Sequence, residues 1–193
     1  MRSRPSCAVI TAVATVLALG ACGGDRDTDE TVTFTSPVYG YSMAHPDSWD
    51  AVEARRMLAD GEQPTTSSGA TDILGRDASV RVGTMHLPGV IVAAQPVPKD
   101  ARIENWMRSI VDTVAVMKQC DQPDRRDDVE IDGLTGTLLT YRDCPPDLGL
   151  LHLWAGVVHD GLAYHIVWFN DPGHEGVDRT AFERMLSSMS FDE

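Results

Sequence analysis

The residues whose types could do chemistry are concentrated in a predicted β-hairpin near the end of the chain. Two apolar runs, Leu148 to His159 and Leu162 to Phe169, flank the dipeptide Asp160-Gly161. Asp-Gly between apolar runs is a strong hairpin signal, because both turn residues accept a positive φ. Side chains alternate between the two faces of a strand, so this pairing gathers histidines and aromatic residues on one face. The residues on that face with a possible binding role are His152, Trp154, His165 and Phe169.

The spacing of the two histidines decides against a shared metal ion. The predicted register sets His152 opposite Phe169, four residues along the strand from His165. At about 3.3 Å per residue the two histidines are about 13 Å apart, too far for one ion. We therefore predict no metal and no cofactor. Two interpretations stay open: a helix covers this face and the histidines hydrogen-bond locally, which we favour, or the face is a groove for an apolar ligand or a partner, with Trp154 at its centre.

The motifs of common catalytic sites are missing from the sequence. It has no Gly-x-Ser-x-Gly, no Ser-x-x-Lys and no His-Glu-x-x-His, and the pair His174-Glu175 lacks a second histidine. One acidic stretch lacks the Asp-x-Asp-x-Asp-Gly spacing of a calcium loop, so we predict a solvated loop there. Its acidic residues are Asp121, Asp124, Asp127, Asp128, Glu130 and Asp132. These observations predict that the protein is not an enzyme.

The first 21 residues have the pattern of an export signal. Two early arginines precede an uncharged, mostly apolar run from Ala8 to Leu19, too short to span a hydrocarbon core of about 30 Å as a helix. The run ends in Leu19-Gly20-Ala21-Cys22, which resembles the bacterial lipobox. The resemblance implies cleavage after Ala21 and a diacylglyceryl group on the Cys22 thiol. Ordinary signal cleavage after Gly20 is the alternative.

If Cys22 is lipidated, we expect the protein to be secreted and held on the extracytoplasmic face of the cell membrane. Acyl chains contribute about 0.8 kcal/mol per buried CH₂, so two or three chains, palmitate among them, hold a protein firmly. Residues 22–31 are polar and predict a flexible tether, and residues 32–193 predict a single domain. Loss of the signal arginines lowers the formal net charge from −13 to −15, which argues against nucleic acid as a partner.

Two cysteines remain in the body of the chain, Cys120 and Cys144. In an exported protein we expect them to form a disulfide, with two separate free thiols as the alternative. Closing this loop would stabilise the fold by about 3–4 kcal/mol in the chain-entropy model.

The elements that position these residues are predicted in a segregated order. Strands are expected at 32–35, 39–46, 79–87 and 90–95, with 51–60 ambiguous and 61–71 a loop. Asp100 is expected to cap one helix and Asp178 a second. Hairpins are expected to turn at Asp132-Gly133, between strands at 129–131 and 134–141, and at Asp160-Gly161. The apolar stripes of the helices are Ile103, Trp106, Met107, Ile110, Val111, Val114 and Met117, then Phe182, Met185, Leu186 and Met189. This order predicts an α+β fold with a mostly antiparallel sheet packed by helices.

One stretch carries a family resemblance. From Phe34 to Trp49 a strand, a Ser-Pro turn, Tyr-Gly-Tyr, a short strand and Pro-Asp-Ser-Trp follow one another, and this resembles the opening of PsbP-like domains. Gly40, Pro46 and Trp49 carry the alignment, and the later helices and hairpins fit the same order. The resemblance implies a Mog1/PsbP-type α/β/α sandwich, a group that includes the actinobacterial LpqN-type lipoproteins. It also implies a binding, assembly or accessory role without catalytic residues.

These inferences together support one function and one alternative. The expected function is that of a non-catalytic, membrane-anchored accessory or binding lipoprotein whose partner is an envelope protein. The alternative is a carrier of a lipid or small apolar ligand, held between sheet and helix near Trp106 and Trp154. A hydrolase has only scattered histidines and aspartates in its favour.

Overall fold

Strands and helices follow one another in the segregated order that the sequence predicts. The computed structural model describes residues 30–59, 61–65, 68–76, 88–118, 122–141, 151–170 and 175–192. The strands in these ranges are β1 Thr31–Thr35, β2 Tyr41–Pro46, β3 Asp50–Val52, β4 Asp72–Gly75, β5 Gly89–Pro96, β6 Arg125–Ile131, β7 Leu134–Tyr141, β8 Leu151–His159, β9 Leu162–Asn170 and β10 Ser190–Phe191. The helices are α1 Ile103–Lys118 and α2 Glu175–Ser188.

Hydrogen bonding between these strands forms two antiparallel sheets. The larger sheet has seven strands in the order β3-β4-β5-β9-β8-β7-β6, and the smaller has three in the order β1-β2-β10. Helix α1 packs on one face of the larger sheet, while α2 and the smaller sheet pack on the other. The predicted fold class, α+β with a mostly antiparallel sheet packed by helices, is confirmed.

Both predicted Asp-Gly hairpins form. The β6–β7 turn has φ of 50° at Asp132 and 73° at Gly133, and the β8–β9 turn has φ of 43° at Asp160 and 76° at Gly161. Positive φ at both central residues gives a tight turn whose twist matches that of the paired strands. Local turn chemistry therefore fixes the register of the two hairpins that build most of the larger sheet.

Burial of their apolar stripes holds both helices in place. Four stripe residues of α1 with described side chains are buried, namely Trp106, Met107, Ile110 and Val111. The C-terminal stripe is buried on the opposite face of the sheet at Phe182, Met185, Leu186 and Met189. Each large apolar side chain contributes about 1.5–3 kcal/mol on full burial. Tertiary packing rather than helix propensity thus stabilises these elements.

Several predicted boundaries are wrong. Asp100 lies in a turn closed by the Ala101 N–H and the Pro98 carbonyl (2.8 Å), and α1 begins only at Ile103, so Asp100 does not cap the helix. Asp178 lies inside the first turn of α2 rather than before it. Capping rules locate helix ends only to within a turn, because an acidic residue is favourable at several positions near a helix N-terminus.

The acidic stretch predicted as a solvated loop is instead an edge strand from Arg125 onward. Strand β6 pairs with β7 along its whole length. Asp127 forms ion pairs with Arg125 (2.8 Å) and with Arg179 of α2 (2.7 Å), so its charge ties helix and edge together. The charged side chains of this strand suit a sheet edge, because charge discourages pairing with a second chain.

Some predictions fall on residues outside the described ranges. They concern the signal segment, Cys22, the strand at 79–87 and the Cys120–Cys144 disulfide. Of the helices in the described ranges, neither is long and apolar enough to span a bilayer.

Candidate functional site

The face of the β8–β9 hairpin that carries the predicted site residues lies under α1. His152 is opposite Phe169 and Gly156 is opposite His165, so the predicted register is confirmed. Trp154 is only 7% exposed and His165 only 1% exposed, and Phe169 is partly buried. The side chain of His152 lies outside the described set. Helix α1 therefore occupies the place where a groove at Trp154 would have to open.

His165 lies in the middle of the layer between α1 and the sheet. Its ring centroid is 4.5 Å from that of Trp106, edge to face, and 5.9 Å from that of Trp154. Neither ring nitrogen has a hydrogen-bond partner among the described residues, so the expectation that this histidine hydrogen-bonds locally is wrong. Burial lowers the pKa of His165 to about 3. The imidazole is therefore neutral at physiological pH.

Three more polar atoms in this layer lack a partner in the described part of the chain. They are the indole N–H groups of Trp106 and Trp154 and the hydroxyl of Tyr141. Burial also raises the pKa of Tyr141 to about 12, so its hydroxyl keeps its proton. An unpaired buried polar group costs about 1–3 kcal/mol. The His165 layer, which we define as His165, Trp106, Trp154 and Tyr141, is thus enclosed, uncharged and poorly satisfied in hydrogen bonds.

Gly156 explains how close α1 comes to the sheet. A Cβ atom at this position would lie 2.6 Å from Cζ3 of Trp106 and closer still to Sδ of Met107. Only a residue without a side chain lets these two large side chains lie directly on the strand. Alternation along β8 puts Gly156 on the same face as Trp154, but the sequence alone indicates no role for it.

A second polar cluster, which sequence reasoning missed, lies on the other side of the larger sheet. The Asp72 carboxylate is fully buried and accepts hydrogen bonds from the Tyr41 hydroxyl (3.0 Å) and the Ala54 N–H (2.7 Å). Burial raises its pKa despite these donors and that of Ser36. Nearby, the Tyr164 hydroxyl donates to the Tyr39 carbonyl (2.7 Å). The cluster joins β2 and β4, and its only sequence signal was the predicted Tyr-Gly-Tyr strand.

Enclosure limits the chemistry that either cluster can do. His165 and Asp72, whose pKa values are shifted by burial, are both buried and face ring or backbone atoms rather than open space. Across the described ranges, no three His, Cys, Asp or Glu side chains are grouped so that they could hold a metal ion. A substrate in solution has no direct access to either side chain in this structure.

An open pocket of about 410 Å³ lies at the start of α1, beside the turn of the β8–β9 hairpin. Ile103 and Val158 form part of its wall and also pack against the apolar layer under α1. The other lining residues are Lys99, Ala101, Thr135, Asp160 and Gly161. The pocket has the size of a small-molecule site and combines apolar walls with both signs of charge.

The fold of this chain is similar to those of several solved structures. Cyanobacterial PsbP (CyanoP) from Synechocystis superposes with a TM-score of 0.58 at 16% identity, covering 90% of this chain and 98% of that one. A protein from Bacteroides thetaiotaomicron superposes with a TM-score of 0.51 at 14% identity, covering 83% of this chain and 48% of that one. A weaker similarity, with a TM-score of 0.47, links the chain to the Ran-binding protein Mog1p of Saccharomyces cerevisiae.

These comparisons define the class of fold. The chain has a PsbP-like α+β sandwich, as the stretch from Phe34 to Trp49 suggested. No protein-family model and no curated protein sequence matches the chain. At identities this low the shared property is the fold alone.

Proposed function

We propose that this protein is a non-catalytic binding or accessory lipoprotein, tethered through Cys22 to the extracytoplasmic face of the cell membrane. The observation that carries the non-catalytic part is the enclosure of the unusual polar groups, His165 and Asp72, inside the sandwich. Because these groups cannot reach a substrate, we infer that the protein recognises its partner or ligand through its acidic surface and the pocket at α1. The lipobox tetrapeptide ending at Cys22 supports the tether.

The charge of the chain bears on its partner. A formal net charge of −13, or −15 without the signal arginines, favours a partner with a basic surface and a salt-sensitive association rate. An envelope protein presenting lysine or arginine to the membrane surface fits this description. The disulfide between Cys120 and Cys144 belongs to the same proposal, since it requires an oxidising compartment.

The tether is tested by changing Cys22 to alanine in the host cell. We expect the wild-type chain to fractionate with membranes and to require detergent for release, because acyl chains partition into the bilayer. The C22A chain should appear in the soluble fraction or keep its signal segment. A C22A chain that loses the signal and still sediments with membranes would contradict the tether.

The partner is tested by carbodiimide cross-linking in intact cells, which joins carboxylates of this chain to amines of a neighbour. The chain is suited to this reagent because it has 29 acidic residues and its only lysines are Lys99 and Lys118. We expect adducts between a recurrent set of carboxylates and one envelope protein, and fewer adducts for C22A. Adducts scattered over unrelated proteins, unchanged in C22A, would count against an accessory role.

The pocket at α1 supports the alternative, a carrier of a small apolar ligand. Its volume of about 410 Å³ can hold a small ligand against the apolar wall of Ile103 and Val158, beside a lining that is otherwise mostly polar. The space near Trp106 and Trp154, by contrast, is filled by those side chains. Val158→Trp should fill the pocket and remove any ligand that is purified with the chain. Val32→Trp, at an exposed valine, is the matched control. A wild-type chain that carries no ligand from its host argues against this alternative.

A further inference from the structure

The surroundings of His165 couple its protonation state to the packing of α1 on the sheet. The ring is enclosed between the sheet and Trp106 of the helix, and neither nitrogen has a hydrogen-bond partner in the described residues. An imidazolium has two N–H donors and a charge, and both need solvent or an acceptor. The enclosed geometry supplies neither, so protonation requires a change of structure.

The described groups that face His165 offer no compensating charge. From α1 the apolar residues packed into this layer are Trp106, Met107, Ile110 and Val111, while Glu104, Arg108 and Asp112 of the same helix are exposed. From β7 the titratable group of the layer is Tyr141, which burial keeps neutral. From β8 it is Trp154 that contacts the ring, and from β5 the residue opposite is Ala93. Within the described residues, desolvation is the cause of the lowered pKa of His165.

Helix α1 is the element best able to move away from this histidine. Strand β9, which carries His165, is fixed by backbone pairing with β5 on one side and β8 on the other. In the described part of the chain, helix α1 meets the sheet through packed side chains, among them Trp106 and Met107 over Gly156. Detaching the helix breaks no strand pairing, whereas exposing His165 through the sheet would break two ladders.

We propose that His165 is an acid-sensitive switch: when its ring takes up a proton, α1 detaches from the sheet and uncovers the His165 layer. Above the ordinary histidine pKa of about 6.5 the ring is neutral in both states, and α1 stays docked. As the pH falls below 6.5, the open state binds a proton that the closed state cannot bind until about pH 3. The equilibrium therefore moves toward the open state as the pH falls through this window. At pH 4.5 the opening constant should be about 100-fold higher than at neutral pH.

Hydrogen exchange of the purified chain, measured by mass spectrometry at pH 7.0 and pH 4.5 and corrected for intrinsic rates, tests the switch. We expect the amides of α1 to lose about 100-fold in protection at pH 4.5, while those of β5 and β9 change little. His165→Leu and His165→Phe should both abolish the loss, since neither side chain can take up a proton. Two variants are used so that a packing defect in one does not remove the test.

His159→Phe is the matched control. His159 stacks on Phe191 (ring centroids 4.5 Å apart) away from α1, and phenylalanine can keep that stack. This variant should open at pH 4.5 as the wild type does. The proposal is overturned if α1 of the wild type exchanges equally at the two pH values, if the acid effect persists in both His165 variants, or if every element loses protection together, which would be global unfolding.

Discussion

Gly156→Val is expected to destabilise the protein by about 3 kcal/mol or more, the largest effect of any single change considered. The first added carbon would already lie 2.6 Å from Cζ3 of Trp106 and closer to Sδ of Met107. Both side chains are buried, so they cannot turn out to solvent without giving up the α1 interface. Urea denaturation of the wild type and the variant measures the loss as a lower transition midpoint with a similar slope.

A double-mutant cycle separates this clash from a general intolerance of β8. Gly156→Ala should cost about 1–3 kcal/mol alone and distinctly less in a Met107→Ala background, where the nearest obstacle is gone. Strictly additive costs would mean that the helix does not rest on Gly156. A Gly156→Val chain as stable as the wild type would contradict the close approach of α1.

Tyr41→Phe is expected to cost about 2 kcal/mol at pH 7, because it removes a donor from the fully buried Asp72 carboxylate. Burial already raises the pKa of Asp72 above its usual value, and losing the hydroxyl raises it further. A raised carboxyl pKa gives a contribution that is most favourable below the unfolded value of about 3.9 and is lost as the pH rises through the folded value. The cost of Tyr41→Phe should therefore be smaller at pH 4 than at pH 7.

Tyr164→Phe is the matched control for this pH dependence. Its hydroxyl donates to the Tyr39 carbonyl, an acceptor that does not titrate. Its loss should cost about 1 kcal/mol at both pH values. Thermal or urea unfolding of both variants at pH 4 and pH 7 provides the comparison. Equal pH dependence in the two would show that Asp72 does not rely on Tyr41 for its charge.

The parts of the fold that sequence reasoning predicted depend on local chemistry. The Asp-Gly turns need only positive φ at two adjacent residues, and the α1 stripe repeats within one helix, so both are visible in short windows. Strand β4 was missed because it is short and gains its place by pairing with β3 and β5, which lie elsewhere in the sequence. The end of β6 at 129–131 was predicted from the Asp132-Gly133 hairpin, but its beginning at Arg125 was missed. The charge of Asp127 in that part is stabilised by Arg179, more than fifty residues away.

In the candidate site, too, some features could be predicted from the local sequence and others depend on long-range packing. Alternation along the hairpin was enough to place Trp154 and His165 on one face. Their burial and the missing partners of the His165 nitrogens depend on how α1 docks, which is decided by Gly156 and by the long-range packing of Trp106. Most buried histidines form hydrogen bonds with nearby groups. That His165 lacks such partners among the described residues is visible only once α1 has packed on the sheet.

Mass spectrometry of the chain extracted gently from its own host tests whether it is a lipid-tethered protein that works by binding. We expect a denatured mass that begins at Cys22, carries acyl chains and lacks two hydrogens for the Cys120–Cys144 disulfide, and a native spectrum with a bound partner protein. A discrete small-molecule adduct in the native spectrum would favour the carrier alternative instead. A chain with an unmodified Cys22 and free thiols at Cys120 and Cys144, without a partner in the native spectrum, would rule out both the tether and the binding role.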